Sequence, residues 1–161
     1  MSKRKSCTIA ARLAPLLLWC VIAAVPAHSQ DEAAWSIDAQ GNLTIHAERV
    51  THEPVFIPLQ VEGQRMEILA VRAVDGKVRV AFNTCQVCSG APRAYFVPHE
   101  GGVICRNCGN FFPAEQVGGA ARGCNPLAVP NVGTTASGDI TIPASVSAAH
   151  AGVFRNWKRG L

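Results

Sequence analysis

At 161 residues the chain has room for one domain plus a targeting segment, and 48% of its residues are hydrophobic. Its formal charge of +4 is uneven: Lys3, Arg4, Lys5 and Arg12 precede Gln30, whereas every acidic residue follows it. The remainder carries eleven basic and eleven acidic side chains, without the clustered basic footprint of a nucleic-acid-binding protein, so that class is excluded.

The first stretch reads as an export signal. A basic start leads into the apolar run Leu13 to Val25, and Ala27-His28-Ser29 offers a small-x-small cleavage site. That run falls short of the roughly 20 residues a membrane-spanning helix needs. Residues 1–29 are therefore expected to be a signal peptide, with an uncleaved N-terminal anchor as the rival, and residues 30–161 the domain. Cys20 does not indicate lipidation, because the bulky Trp19 precedes it.

Beyond the signal the chain reads as mainly β. Leu43 to Ala47 alternates apolar and polar residues, as a strand with one buried face does. Pro54 to Val61 is a second strand, pushed toward a sheet edge by Pro54 and Pro58. Met66 to Val74 has apolar residues on both faces. Asp75-Gly76 predicts a two-residue hairpin turn. Lys77 to Phe82 then returns with Val78, Val80 and Phe82 on one side and Lys77 and Arg79 on the other. From Asn83 to Pro130 glycine, proline and cysteine rise, and only short strand pieces remain at Tyr95-Phe96-Val97 and Gly102-Val103-Ile104. Such a segment buries too little apolar surface to fold without a staple. A strand at Asp139 to Ile142 and a short helix from Ser145 to Phe154 follow, and the tail Arg155 to Arg159 reads as a solvated end.

The staple is cysteine. Cys7 and Cys20 lie in the signal, and the other five fall between positions 85 and 124. Their spacing is Cys85-x2-Cys88-x16-Cys105-x2-Cys108-x15-Cys124, and the first four fit the pattern of a tetrahedral thiolate site. Two intervening residues let one tight turn aim both sulfurs at a metal while backbone N–H groups face the thiolates. Cys108-Gly109 and Cys88-Ser89-Gly90 supply the flexible residues for such turns. The expected fold is thus a small sheet with a metal-stapled, zinc-ribbon-like cysteine region and a short C-terminal helix.

Rival readings are weaker. Two disulfides would suit an exported protein but leave one of the five cysteines over. A thiol–disulfide oxidoreductase places its reactive cysteine at a helix start, and neither Ser89-Gly90-Ala91-Pro92 nor Gly109-Asn110-Phe111 looks like one. Covalent haem needs histidine where Ser89 and Gly109 stand. Zinc is the default ion for four thiolates, while Cys124 in Gly123-Cys124-Asn125-Pro126 is surplus to one tetrahedral ion and suits an iron–sulfur cluster with ligands from distant segments. His46, His52, His99 and His150 read as surface or loop residues and Met66 as core. No nucleophile triad, paired catalytic carboxylates or phosphate-cradling glycine loop is present, so no organic substrate is indicated.

Three motifs in order, Asp75 to Cys88, Val103 to Gly109 and Gly123 to Pro126, resemble the FtrD-like domain family of membrane iron–sulfur-containing proteins. The likeness runs from about Leu43 to Phe154. It implies an iron–sulfur cluster on Cys85, Cys88, Cys105, Cys108 and Cys124, relaying electrons beside a membrane iron permease or a redox partner. Larger members of the family carry several membrane helices before this domain, where this chain has a single signal or anchor. The expected location is the periplasm, or the outer face of the cytoplasmic membrane.

Overall fold

Strand formation follows the alternation read above, and the computed structural model of the chain describes residues 33–119 and 123–160. The predicted signal segment, residues 1–29, lies outside them. In chain order the strands are β1 (Trp35–Ile37), β2 (Leu43–Ile45), β3 (Val55–Val61), β4 (Gln64–Arg72) and β5 (Val78–Cys85). They continue with β6 (Phe96–His99), β7 (Gly102–Cys105), β8 (Phe111–Pro113), β9 (Pro126–Ala128), β10 (Gly133–Thr134) and β11 (Ile140–Ile142), before helix α1 (Ala144–His150). The chain is therefore mainly β, with three small antiparallel sheets ordered β1-β2-β11-β10, β3-β4-β5-β9 and β6-β7-β8.

The second sheet is central because it is buried on both faces. Side chains alternate across a strand, and β4 uses both sides. Met66, Ile68 and Ala70 enter one core with Leu43, Ile45, Phe82, Ile142, Val146 and Phe154. Leu69 and Val71 enter a second core with Ala81, Phe96, Val103, Val117, Cys85 and Cys105. The apolar character of both faces of Met66 to Val74 is thereby explained. On β5, Ala81 shares the face of Arg79 and is fully buried against the cysteine-bearing layer. Pro58 lies in β3, at the edge of its sheet, where a missing backbone donor is tolerated.

Two expectations are corrected. The hairpin between β4 and β5 is not a two-residue Asp75-Gly76 turn. Gly76 N–H donates to Ala73 O at 2.9 Å, so Val74 and Asp75 are the central residues. Only Gly76 takes a positive φ there, +80°, as the left-handed position of a three-residue loop requires. The tail is not a solvated end either. Trp157 is 6% exposed, within the first core. Lys158 holds a left-handed φ of +52° while its ammonium pairs with Glu67 at 3.1 Å and lies over the Tyr95 and Trp157 rings.

The third sheet carries the second cysteine pair and depends on Gly102. A Cβ there would stand 2.1 Å from Phe112 O and 2.9 Å from Pro113 Cα, so β8 must move to admit one. Gly102→Ala is expected to destabilise the fold by about 1–3 kcal/mol, the usual scale of overpacking. Urea denaturation of the two proteins checks this; equal midpoints would show that β8 yields freely.

Candidate metal centre

Three segments deliver the five cysteines. β5 ends on Cys85, and the turn after it carries Cys88. β7 ends on Cys105, and the next turn carries Cys108. Cys124 immediately precedes Asn125, which joins the first turn to β9: Gln86 N–H donates to Asn125 O at 2.8 Å, and Pro126 pairs with Cys85. The two cysteine turns are locked to each other through the backbone. Cys85 N–H reaches Ala94 O at 3.3 Å, and Arg106 N–H reaches Tyr95 O at 2.8 Å.

Each turn aims backbone donors at sulfur, as the two-residue spacing predicts. Cys88 N–H faces Cys85 Sγ at 3.5 Å. In the second turn the N–H groups of Cys108 and Asn107 face the Cys105 sulfur, and that of Asn110 faces the Cys108 sulfur. Gly109 closes this turn with a φ of +74° and donates to Cys105 O at 2.9 Å. Gly90 takes +100° beyond the first turn. These are the positions where a side chain would be strained.

The sulfurs converge. Those of Cys85, Cys88 and Cys105 lie within 4.8 Å of one another, and so do those of Cys88, Cys108 and Cys124. Cys88 and Cys124 Sγ are 3.8 Å apart, well beyond the roughly 2.05 Å of a disulfide; all five are free thiols. Cys85 and Cys105 are buried, Cys88 and Cys124 half-buried, and Cys108 exposed.

Electrostatics favour a cation here. Burial pushes the Cys105 thiol up to about 12, against the pull of the Cys108 and Asn107 N–H groups. Burial does the same to Cys124, also to about 12, reinforced by the Cys88 and Cys108 thiols. Cys88 is likewise raised, by burial first, with the Asn107 side chain acting against it. Cys108 is lowered: burial opposes its ionisation but is outweighed by the Asn110 N–H and the neighbouring thiols. Packed thiols resist ionising together, because each thiolate disfavours the next. A metal ion supplies the missing positive charge, and thiolate is a soft donor suited to zinc or iron–sulfur clusters. The donor set fits the group the sequence predicted.

Supports the sequence reading missed surround this cluster. Asn83, fully buried, bridges the second and third sheets: its Nδ2 donates to Glu67 Oε2 at 2.6 Å and Phe96 O at 3.2 Å, and its Oδ1 accepts from Phe96 N–H at 2.7 Å. The tail grips the same region. Trp157 Nε1 donates to Asn83 O at 2.7 Å, Asn156 Nδ2 to Gly90 O at 3.0 Å, and Lys158 N–H to Pro92 O at 2.9 Å. The histidines stand apart. His46 meets Asp139 at 3.2 Å, His52 and His150 bond the carbonyls of Arg72 and Val146, and His99 tilts against Phe111. Met66 is buried core. Among the described residues no helix is long and apolar enough to cross a membrane.

Comparison with known proteins agrees with the motif reading. No curated protein and no solved structure matches the chain. One family model does, that of the membrane iron–sulfur-containing protein FtrD-like, over residues 50–154, a span that holds all five clustered cysteines. The chain belongs to the FtrD-like family of membrane iron–sulfur-containing proteins.

Proposed function

We propose that residues 30–161 form an exported metal-binding domain whose Cys85, Cys88, Cys105, Cys108 and Cys124 hold an iron–sulfur centre. It serves electron transfer or iron uptake at the outer face of the cytoplasmic membrane, and residues 1–29 direct it there. The observation that carries this reading is the convergence of five free thiols from three chain segments into one cluster. When bound, such a centre takes up and releases single electrons. The chain's own residues hold the thiols, turn backbone N–H groups toward them and leave Cys108 at the surface. A partner can approach at Cys108, which is exposed, and at Val87, which is 63% exposed in the turn between Cys85 and Cys88. A membrane iron permease, or a redox protein that serves one, is the partner this implies.

Metal and acid-labile sulfide analysis, with a visible spectrum, tests the reading on the full chain as an exporting host processes it, isolated without air. Iron with sulfide, and colour that bleaches on reduction, is the expected result. Zinc without sulfide would replace it with a structural zinc module, and oxidised cysteines without metal would replace it with a disulfide-stapled one.

A further inference from the structure

Charge is segregated along the strands that end at the cysteines. β5 starts shortly after Asp75 and ends on Cys85, and β7 starts shortly after Glu100 and ends on Cys105. Carboxylates gather at the starting end: Glu53, Glu100 and Glu115 line one cleft, and Glu115 also meets Val74 N–H, beside Asp75, at 3.3 Å. The cysteine end is different. No acidic residue occurs in 76–99, 101–114, 116–138 or 140–161. Exposed arginines stand there instead. Arg106 lies between Cys105 and Cys108, and Arg93 in the loop after Cys88. Their backbones meet at Tyr95, whose N–H donates to Arg93 O and whose carbonyl accepts from Arg106 N–H, each at 2.8 Å. The tail adds Arg155 and Arg159, because Asn156 and Lys158 between them bond Gly90 O and Pro92 O. Glu67 also reaches this end, but it is held by Lys158 and Asn83. Among the described residues none of the four arginines pairs with a carboxylate, whereas Arg49 pairs with Glu48 and Arg79 with Asp75.

We propose that the cysteine end docks a protein whose contact face is rich in carboxylates, and that the polarity of the domain orients the encounter. This rests on the reading of the five cysteines as a metal centre, and names the chemistry of the partner that reaches it. Opposite charges steer two molecules together before contact and set their mutual orientation. An arginine fork then meets a carboxylate with two parallel hydrogen bonds. The reverse orientation is disfavoured, because it brings the partner's carboxylates against Glu53, Asp75, Glu100 and Glu115. An anionic bilayer also attracts arginine, but binding at a lipid interface relies on an apolar face sunk below the headgroups. The residues inside the two cysteine turns are Gln86, Val87, Arg106 and Asn107, and Val87 is their one large apolar side chain. Such a surface suits a protein.

A fluorescein-labelled oligoglutamate peptide is the probe, and its anisotropy at about 20 mM salt reads its affinity for the air-free, full-length chain from an exporting host. Three double variants each remove two positive charges. They are Arg93→Gln with Arg106→Gln, Arg155→Gln with Arg159→Gln, and, at the opposite end of β5, Lys77→Gln with Arg79→Gln. The first two are expected to weaken binding by about fivefold or more, and the third by less than about twofold. Circular dichroism checks that each is folded. Equal losses in all three would show that net charge alone drives binding and would overturn the proposal, as would a parent chain that ignores the peptide. Co-sedimentation with phosphatidylglycerol vesicles, set against phosphatidylcholine vesicles, gives the other arm. Uptake on the first kind alone, lost in the first two variants, would assign the arginines to a membrane and overturn the protein partner. Metal and sulfide analysis of the same sample keeps the two readings apart. Site-selective peptide binding without metal would leave the docking surface and remove the centre, and metal without peptide binding would do the reverse.

Discussion

Phe82→Ala is expected to destabilise the protein by about 3–5 kcal/mol, the usual range for a fully buried aromatic. Phe82 is fully buried and sits where the largest core side chains meet. Its ring stacks on His150 at 4.8 Å and meets the edge of Phe154 at 6.0 Å, which fastens α1 and the segment after it to the central sheet. Its backbone pairs with Ile68 on one side and Leu127 on the other. Removing the ring leaves a cavity that rigid strands cannot close, so both the transfer free energy and the packing contacts are lost. At roughly 3–5 °C per kcal/mol, the melting temperature should fall by on the order of 10–20 °C. Thermal unfolding followed by circular dichroism checks this. A fall of only a degree or two would mean that α1 collapses into the space.

Asn83→Ala should have an effect of similar size through a different cause. The side chain satisfies both the N–H and the carbonyl of Phe96, which is itself buried. Alanine leaves that donor and acceptor without those partners, at about 1–3 kcal/mol each. The total is about 2–6 kcal/mol. Phe96 also pairs directly with Cys105 across β6 and β7, so the loss reaches the cysteines. Beyond the drop in denaturation midpoint, the variant should release its metal to a chelator faster than the parent. Lower stability with unchanged release would show that the third sheet holds its cysteine pair without Asn83.

The contrast between these two residues shows what the sequence makes legible. Phe82 falls on one side of its strand with Val78 and Val80 from alternation alone, because a period of two is written in the order of residues. The cysteine pairs were equally visible, since two-residue spacing is a local property of a turn. The fifth ligand candidate was visible as a residue but not as a neighbour. That Cys124 comes to 3.8 Å from Cys88 depends on β9 pairing with β5, a contact between distant segments. Asn83 gave no signal, because a buried asparagine and a surface one look alike until the partner, Phe96, is in place. β8, β9 and β10 were missed for a related reason: strands of two or three residues exist by virtue of their neighbours rather than their own propensity. Trp157 was misread because chain ends are solvated by default, and its burial rests on a carbonyl seventy-four residues away.

That last contact bears on the order of events during synthesis. A polypeptide emerges from its amino end, so the five thiols leave the ribosome before the tryptophan that secures the loop between Asn83 and Pro92. For an interval the cysteines are present and their closing latch is not. The thiols are then open to a metal donor and to an oxidant alike. Before the tail docks, the thiols lack the contacts that Trp157 and Lys158 make to Asn83 and Pro92.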